Sequence, residues 1–380
     1  MKKIGILTYH NNTNRGSHLQ AYCLWRALSK MMKDTTVEII DYRTLSKEIK
    51  RIYSTSPKRF VKQILDYNTS FNFLKKYNAL SSNKIITNNY NKAIEFLKEK
   101  DYDMIVVGSD VVWRIENEKY FPPSRPFPNA YFLNPCLDTI KVSYAPSASI
   151  TDLRSLSKEK IDKIRYYLSN FDKISVRDTH TEKLLHQIGI SNLTRVPDPT
   201  ILIDIPQVNG KALLESYGIS VDEPILGIHR VGKLENKIID YFREKNYQIV
   251  SPETSKNSDL DLWGKLDPLE YYSLFKYFDF VVTGSLHSTI FSIKNRTPFA
   301  TLDFSFSNVV DKKETLLEDF SLLDRHLKKS EIGKENVLDK IKKCEKDFDA
   351  NQINKRLKFL RNKGIDYIKE LEVLLNEKNV

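Results

Sequence analysis

Residues 4–42 constrain the fold more tightly than any other stretch of the chain. A short β-type run (Ile4–Leu7) is followed by a polar loop (Thr8–Ser17). A helical pattern follows, with Leu24, Ala27, Leu28 and Met31 at i, i+3, i+4 and i+7. A second β-type run, Val37–Tyr42, closes the segment. Strand, loop, helix and strand in this spacing form a βαβ unit, which requires a parallel sheet.

The same alternation recurs downstream. Met104–Val107 reads as a buried strand, and strands are expected at Ile140–Tyr144, Lys173–Val176 and Leu193–Val196. The helix after Arg177 opens with Thr179-x-x-Glu182, a capping-box pattern, and stops at Gly189. Lys47–Lys100, rich in Lys, Tyr and Asn, reads as two or three helices with mobile connections. Phe121–Pro128 (FPPSRPFP) is a loop, because prolines this dense sustain neither a helix nor a central strand.

Asp204–Glu223 marks a junction. Beyond it, strands are expected at Ile225–Ile228, Gln248–Val250, Phe280–Thr283 and Phe299–Asp303. Helices are expected at Glu235–Lys245, Leu269–Phe278, His287–Asn295 and Lys313–Phe320. The tail Val337–Glu377 carries an apolar stripe through Ile353, Leu357, Leu360, Ile365, Ile368, Leu371 and Leu374. The expected architecture is α/β: two Rossmann-like lobes facing a cleft, over residues 1–204 (with a basic helical insertion at about 47–100) and 205–335. Helices over 336–380 pack back on the lobes.

Composition narrows the functional classes. At about 150 residues per domain, 380 residues suggest two to three domains. Hydrophobic residues at 41% and charged residues at 29% fit a globular chain rather than a disordered one. No run of about 18 apolar residues supports a membrane-spanning helix. The apolar part of MKKIGILTYH is too short for a secretion signal, so a cytoplasmic location is expected. Cys23, Cys136 and Cys344 lie far apart without a CxxC pair and read as reduced packing residues. The net charge of +11 suits an anionic substrate, a membrane surface or nucleic acid, or reflects lysine-rich composition alone. The basic residues form no nucleic-acid motif, so nucleic acid is not the expected partner.

In open parallel sheets, ligands bind beyond the carboxyl ends of the strands. Six polar clusters fall there: HNNTNRGSHLQ, GSDVVW, APSAS, RDTHT, HRVG and GSLHST. The sharpest is Gly284–Thr289, where a glycine turn leads into a helix whose first amides are free. Ser285, Ser288 and Thr289 can add hydroxyl donors, and His287 can supply or take a proton. The alternative is an ordinary capped helix with a packing histidine. Arg177 ends a buried strand and can clamp a carboxylate or phosphate, or pair with Asp178 or Asp198. Asp110 can serve as a base or cap a helix, and Trp113 can offer a face to a sugar or pack in a core. Asn14, Arg15, His229 and Arg230 are weaker candidates, and the remaining histidines lack metal-site spacing. GxGxxG, GxxxxGK[ST] and GxSxG are absent, which argues against a nicotinamide oxidoreductase, a P-loop kinase and a serine hydrolase.

Taken in order, these motifs resemble the polysaccharide pyruvyl transferase family over roughly residues 3–330. The segments that carry the resemblance are Asn14–Leu24 (NRGSHLQAYCL), Gly108–Trp113 (GSDVVW) and Ser143–Ser147 (SYAPS). To these add Ser175–Asp178 (SVRD), Asp198–Thr200 (DPT) and Gly284–Ser292 (GSLHSTIFS). The resemblance implies a two-lobed fold like that of the GT-B glycosyltransferases. It also implies transfer of a pyruvyl group from phosphoenolpyruvate, as co-substrate, to two hydroxyls of one sugar, with no resident cofactor or metal. Arg177 and His287 correspond to the family's donor-binding pair, with Asp110 as a further catalytic candidate. Ser285, Leu286, Ser288, Thr289 and Lys312 are expected around the donor. Asn14, Gly16, Ser109, Trp113, Tyr144, His229 and Arg230 are expected around a sugar acceptor, free or lipid-linked at the inner membrane face. The chain departs from the family at Gly284, where many members carry Asp, and at Ser288, where many carry Gly. Some members carry Arg at Ser285, and Lys312 stands where a family arginine precedes a Leu-Leu pair. A nucleotide-sugar glycosyltransferase is the alternative, because a two-lobed fold does not choose the donor. A degenerate member that only binds glycans is a third reading.

Overall fold

The N-terminal βαβ unit extends into a five-stranded, all-parallel sheet. Its strands are β1 (Lys2–Leu7), β2 (Thr35–Arg43), β3 (Leu80–Ile86), β4 (Met104–Val107) and β5 (Ile140–Ser143), in the order β3-β2-β1-β4-β5. This computed structural model describes residues 1–52, 61, 64–65, 69, 72–115, 126–252, 255, 257–303, 312–328, 330 and 337–377. The chain divides into two units, residues 1–61, 71–203 and 360–380 in the first and 62–70 and 204–359 in the second.

In the first unit β4 is buried throughout, as a continuous apolar run requires when helices cover both faces of a parallel sheet. Helix Arg15–Met31 crosses from β1 to β2, starting at Asn14, whose side chain accepts from the Gly16 and Ser17 amides. Ile174–Val176 (β6) and Leu193–Arg195 (β7) form a separate parallel pair. The region 47–100 departs from the helical expectation. Helix Leu45–Ile52 and helix Tyr90–Glu99 flank β3, which extends the sheet beside β2. β3 is an edge strand with most positions exposed, so its sequence, LSSNKII, lacks the apolar run that marks β4. The helix after Arg177 is capped by Asp178, which accepts from the Thr181 amide at 2.9 Å, and not by the Thr179 box. Much of the expected proline loop, 121–125, lies outside the described residues.

The second unit repeats the plan. Ile225–His229 (β8), Gln248–Ser251 (β9), Leu260–Asp261 (β10), Phe280–Thr283 (β11), Phe299–Leu302 (β12) and His326–Leu327 (β13) lie in the order β10-β9-β8-β11-β12-β13. Both orders are Rossmann-like, with a switch point between β1 and β4 and another between β8 and β11. Phe242, Phe280, Ile238 and Val282 anchor this core, each side chain contributing about 1.5–3 kcal/mol of burial. A genuine capping box sits at helix Pro268–Leu274, where Asp267 and Glu270 bond reciprocally to each other's backbone.

The residues of helix Ala350–Glu377 from 360 onward belong to the first unit. There Leu360, Ile368 and Leu371 are buried, and the Tyr367 hydroxyl donates to the Ser143 carbonyl at 2.9 Å. Among the described residues no helix is long and apolar enough to cross a membrane. Cys23 and Cys344 are buried as expected, whereas Cys136 is exposed.

Candidate functional site

Each unit carries candidate residues at its own switch point, and the first unit carries a further one at the end of β6. In the first unit, β1 leads into Thr8–Asn14 and β4 into Gly108–Trp113. Gly108 has φ +115°, and a Cβ there would meet the Tyr144 carbonyl at 2.3 Å, so glycine is required where the chain leaves β4. Two contacts span the switch point. The Thr8 hydroxyl donates to the Ser109 carbonyl at 3.0 Å, and the Ser17 hydroxyl, in the first turn of the helix, donates to Asp110 Oδ2. Asp110 is thereby tied to the helix that follows β1, and its other carboxylate oxygen, Oδ1, accepts from the Val111 amide at 2.8 Å.

Arg177 lies at the end of β6 and is 7% exposed. Nη1 donates to Asp198 Oδ2 at 2.8 Å, which selects Asp198 over Asp178 as its partner. The remaining oxygen of Asp198 accepts from the Thr200 amide and hydroxyl, so the carboxylate is fixed. Arg177 Nε and Nη2, the edge that forms a bidentate fork, are buried with no hydrogen-bond partner among the described residues. Burial opposes the charge, but Asp198, then Asp110 and Asp178, more than offset it and hold the guanidinium above its ordinary pKa. The arrangement is a fixed cation with an unmatched fork, suited to a planar or tetrahedral anion.

Several expected acceptor residues have other duties. Trp113 is 2% exposed, with its indole N–H on the Tyr131 carbonyl and its ring edge-on to Phe171. It packs the core and offers no face to a sugar. Tyr144 is fully buried beneath the terminal helix beside Tyr367, which likewise removes it from ligand contact. The Ser109 hydroxyl is bound to the Ala145 carbonyl at 2.9 Å. Asn14 caps the helix, and Gly16 is buried in its first turn. His18, which sequence reasoning passed over, is fully buried, and its Nε2–H donates to the Asn12 carbonyl at 2.6 Å. Burial, reinforced by the charges of His10 and Arg15 and opposed by that hydrogen bond, pushes its pKa down to about 4.

In the second unit, β11 runs into Gly284 and helix Leu286–Asn295, with Ser285 at the N-cap making no side-chain cap bond. His287 stands in the first turn, 5% exposed, its ring tilted against Phe291. The hydroxyls expected to serve as anion donors are partly committed. Thr289 donates to the Ser285 carbonyl at 2.9 Å. Ser288 bonds His229 Nδ1 at 2.6 Å across the β8–β11 switch point and Tyr271 Oη at 2.6 Å, while Tyr271 Oη also reaches His229 Nδ1 at 3.1 Å. Ser288 therefore orients His229, and Tyr271 completes a buried triad that the sequence did not suggest. Leu286 is buried, and Arg230, next to His229, is exposed at φ +56°. The lysine tied to the Gly284 turn is Lys313, whose ammonium donates to the Leu302 carbonyl at 2.8 Å and the Gly284 carbonyl at 3.2 Å. Lys312, half-buried at the start of helix Lys312–Phe320, is its neighbour in sequence.

A family model described as polysaccharide pyruvyl transferase matches residues 14–305, which span all of these segments. No curated protein matches the chain by sequence. Among solved structures, one UDP-N-acetylglucosamine 2-epimerase aligns with TM-score 0.55 and 11% identity over 100% of this chain and 97% of its own. The epimerase from Methanocaldococcus jannaschii aligns with TM-score 0.52 and 13% identity over 98% and 99%. The corresponding enzyme from Rickettsia bellii aligns with TM-score 0.50 and 12% identity over 98% of each chain. Likeness at such identities concerns the fold, which is GT-B-like in these neighbours, and leaves the reaction open.

Proposed function

The chain belongs to the polysaccharide pyruvyl transferase family, and from that premise we propose that it transfers a pyruvyl group from phosphoenolpyruvate to two hydroxyls of one sugar in a surface-glycan precursor, releasing phosphate. Arg177 carries this reading: a buried guanidinium, fixed through Nη1 by Asp198, keeps its bidentate fork without a partner among the described residues. Phosphoenolpyruvate presents a carboxylate and a phosphate, either of which fits such a fork.

The chemistry assigns the remaining roles. Protonation of the vinyl CH2 carbon places cationic character on the carbon bearing the phosphate ester. One sugar hydroxyl attacks that carbon and gives up its proton. The C–O bond to phosphate then breaks, and the second hydroxyl attacks the same carbon to close the ketal. One hydroxyl proton balances the proton added to the vinyl carbon, and the other accompanies phosphate. His287, buried near the N-terminal turn of its helix, is assigned the proton exchange, and Arg177 the neutralisation of donor charge. Lys313, through the Gly284 carbonyl, is assigned to hold the turn that carries His287. Acid–base and charge stabilisation suffice, so the reading calls for no resident cofactor. A cytoplasmic enzyme acting on a free or lipid-linked acceptor is consistent with phosphoenolpyruvate as donor.

Incubation with phosphoenolpyruvate and a panel of sugars, followed by mass spectrometry, is expected to give a product heavier by one pyruvate less one water, with phosphate released in equal amount. His287→Asn is expected to fold normally and to abolish transfer, so retained turnover would refute its role. Thermal shift compares phosphoenolpyruvate with UDP- and GDP-sugars. Stabilisation by a nucleotide sugar alone favours the glycosyltransferase alternative.

A further inference from the structure

At the carboxyl ends of β1 and β2 the first unit contains a cavity with about 320 Å³ of empty space, part of it open to solvent. None of its lining residues belongs to the site assigned above, although Thr8 at its edge bonds the Ser109 carbonyl beside Asp110.

The charged groups in its wall are already matched to one another. Arg43 grips Asp41 with two hydrogen bonds of 2.6 and 2.7 Å, and His10 Nε2 lies 2.9 Å from the same carboxylate. The other ring nitrogen of His10 faces the Thr8 carbonyl at 3.1 Å. Burial acts against the Asp41 charge, yet the bonds from His10 and Arg43 keep its carboxyl well below the usual range. Glu48 accepts from Asn11 Nδ2, and the Lys47 ammonium lies over the Tyr9 ring, 3.2 Å from its centroid. A carboxylate in the wall and paired cations make a poor cradle for phosphate.

What the wall leaves unmatched is oxygen. Asn11 Oδ1 and Thr44 Oγ1 are buried without a hydrogen-bond partner among the described residues. The amide orientation of Asn11 is fixed, because Glu48 can only accept and so must face Nδ2. Thr44 immediately precedes helix Leu45–Ile52, whose Lys47 and Glu48 amides bond its backbone carbonyl, yet its hydroxyl caps nothing. An orphaned amide oxygen asks for a donor, which an ionised phosphate or carboxylate lacks and a sugar hydroxyl supplies.

We infer that this cavity binds one hydroxyl-rich ring of the acceptor glycan, through the Asn11 carbonyl oxygen and the Thr44 hydroxyl. The inference rests on the transferase reading for its claim that the ring belongs to the acceptor.

Saturation-transfer NMR on the full chain, without phosphoenolpyruvate, tests it with methyl β-D-glucopyranoside, methyl β-D-galactopyranoside and N-acetylmannosamine as probes. At least one probe is expected to bind, and Thr44→Val to weaken that binding by roughly 2–10-fold. Because the hydroxyl has no partner among the described residues, Thr44→Val is expected to leave the melting temperature unchanged or raise it. A merely structural role would lower stability and binding together. Asn11→Leu serves as the second variant. Binding of no probe, binding indifferent to both substitutions, or displacement of the glycoside by inorganic phosphate each overturns the inference. Turnover that persists with an unchanged acceptor KM in Thr44→Val overturns the cavity and spares the transferase reading. Thr44-dependent glycoside binding in a protein that never turns over phosphoenolpyruvate overturns the donor and spares the cavity.

Discussion

Arg177 Nη1 donates to Asp198 Oδ2 at 2.8 Å with both side chains buried, so the pair fixes the guanidinium by one corner and leaves its Nε/Nη2 edge unpartnered among the described residues. Arg177→Lys retains the charge and can still reach Asp198, but it loses the fork. The KM for phosphoenolpyruvate is expected to rise by about 10–100-fold, the value of one charge-assisted bond, with little change in melting temperature. Arg177→Ala, which strands the buried Asp198 carboxylate, is expected to lose about 3–5 kcal/mol of stability in urea titration. A lysine variant with unaltered KM would remove Arg177 from donor binding.

Ser288→Ala takes one hydroxyl from both His229 and Tyr271. Only the 3.1 Å contact between those two is then left within the triad. Loss of a buried, doubly bonded hydroxyl is expected to cost about 1–3 kcal/mol. If His229 contributes to the site, kcat/KM falls further than stability does. Equal effects on both would make the triad purely structural.

Acid sensitivity is expected from His18. Its pKa is pushed from 6.5 down to about 4, so the native ring stays neutral while the unfolded chain takes up a proton near 6.5. Between those values the unfolded state binds more protons. Stability therefore falls as pH drops from 6.5 to 4, by about 3 kcal/mol, and levels off below. His18→Gln is expected to flatten this slope in melting curves recorded across the window, because the amide can still donate to the Asn12 carbonyl and cannot titrate.

Gly364 lies inside helix Ala350–Glu377, where propensity alone predicts a gain of about 1 kcal/mol for alanine. A Cβ there would meet Leu202 Cδ2 at 2.4 Å and the Tyr144 hydroxyl at 2.6 Å, both on buried side chains. Gly364→Ala is expected to lower the melting temperature. An increase would mean that the helix moves freely over the first unit.

The central strands were legible because burial on both faces imposes apolar runs such as MIVV and FVVT, and the loops after them because polar residues and glycine must follow. β3 escaped because an edge strand with exposed positions needs no such run. The N-cap was misplaced by one residue because Asp178 and Thr179 both suit the position, and only the bond to Thr181 decides. Lys312 and Lys313 are indistinguishable in sequence, and the folded chain decides that the Lys313 ammonium reaches the Gly284 carbonyl.

By itself the sequence determined the alternation of central strands and helices in two successive α/β segments and the strand-end loops where chemistry gathers, since these follow from local periodicity and backbone preference. Only the tertiary structure decided which polar atoms are committed and which remain. Ser17 meets Asp110 across 93 residues, Ser288 meets His229 across 59, and Arg177 meets Asp198 across 21. Hydrogen-bond partnership depends on distance in space, and no local pattern encodes which hydroxyl or carboxylate a folded chain brings within 3 Å of another group.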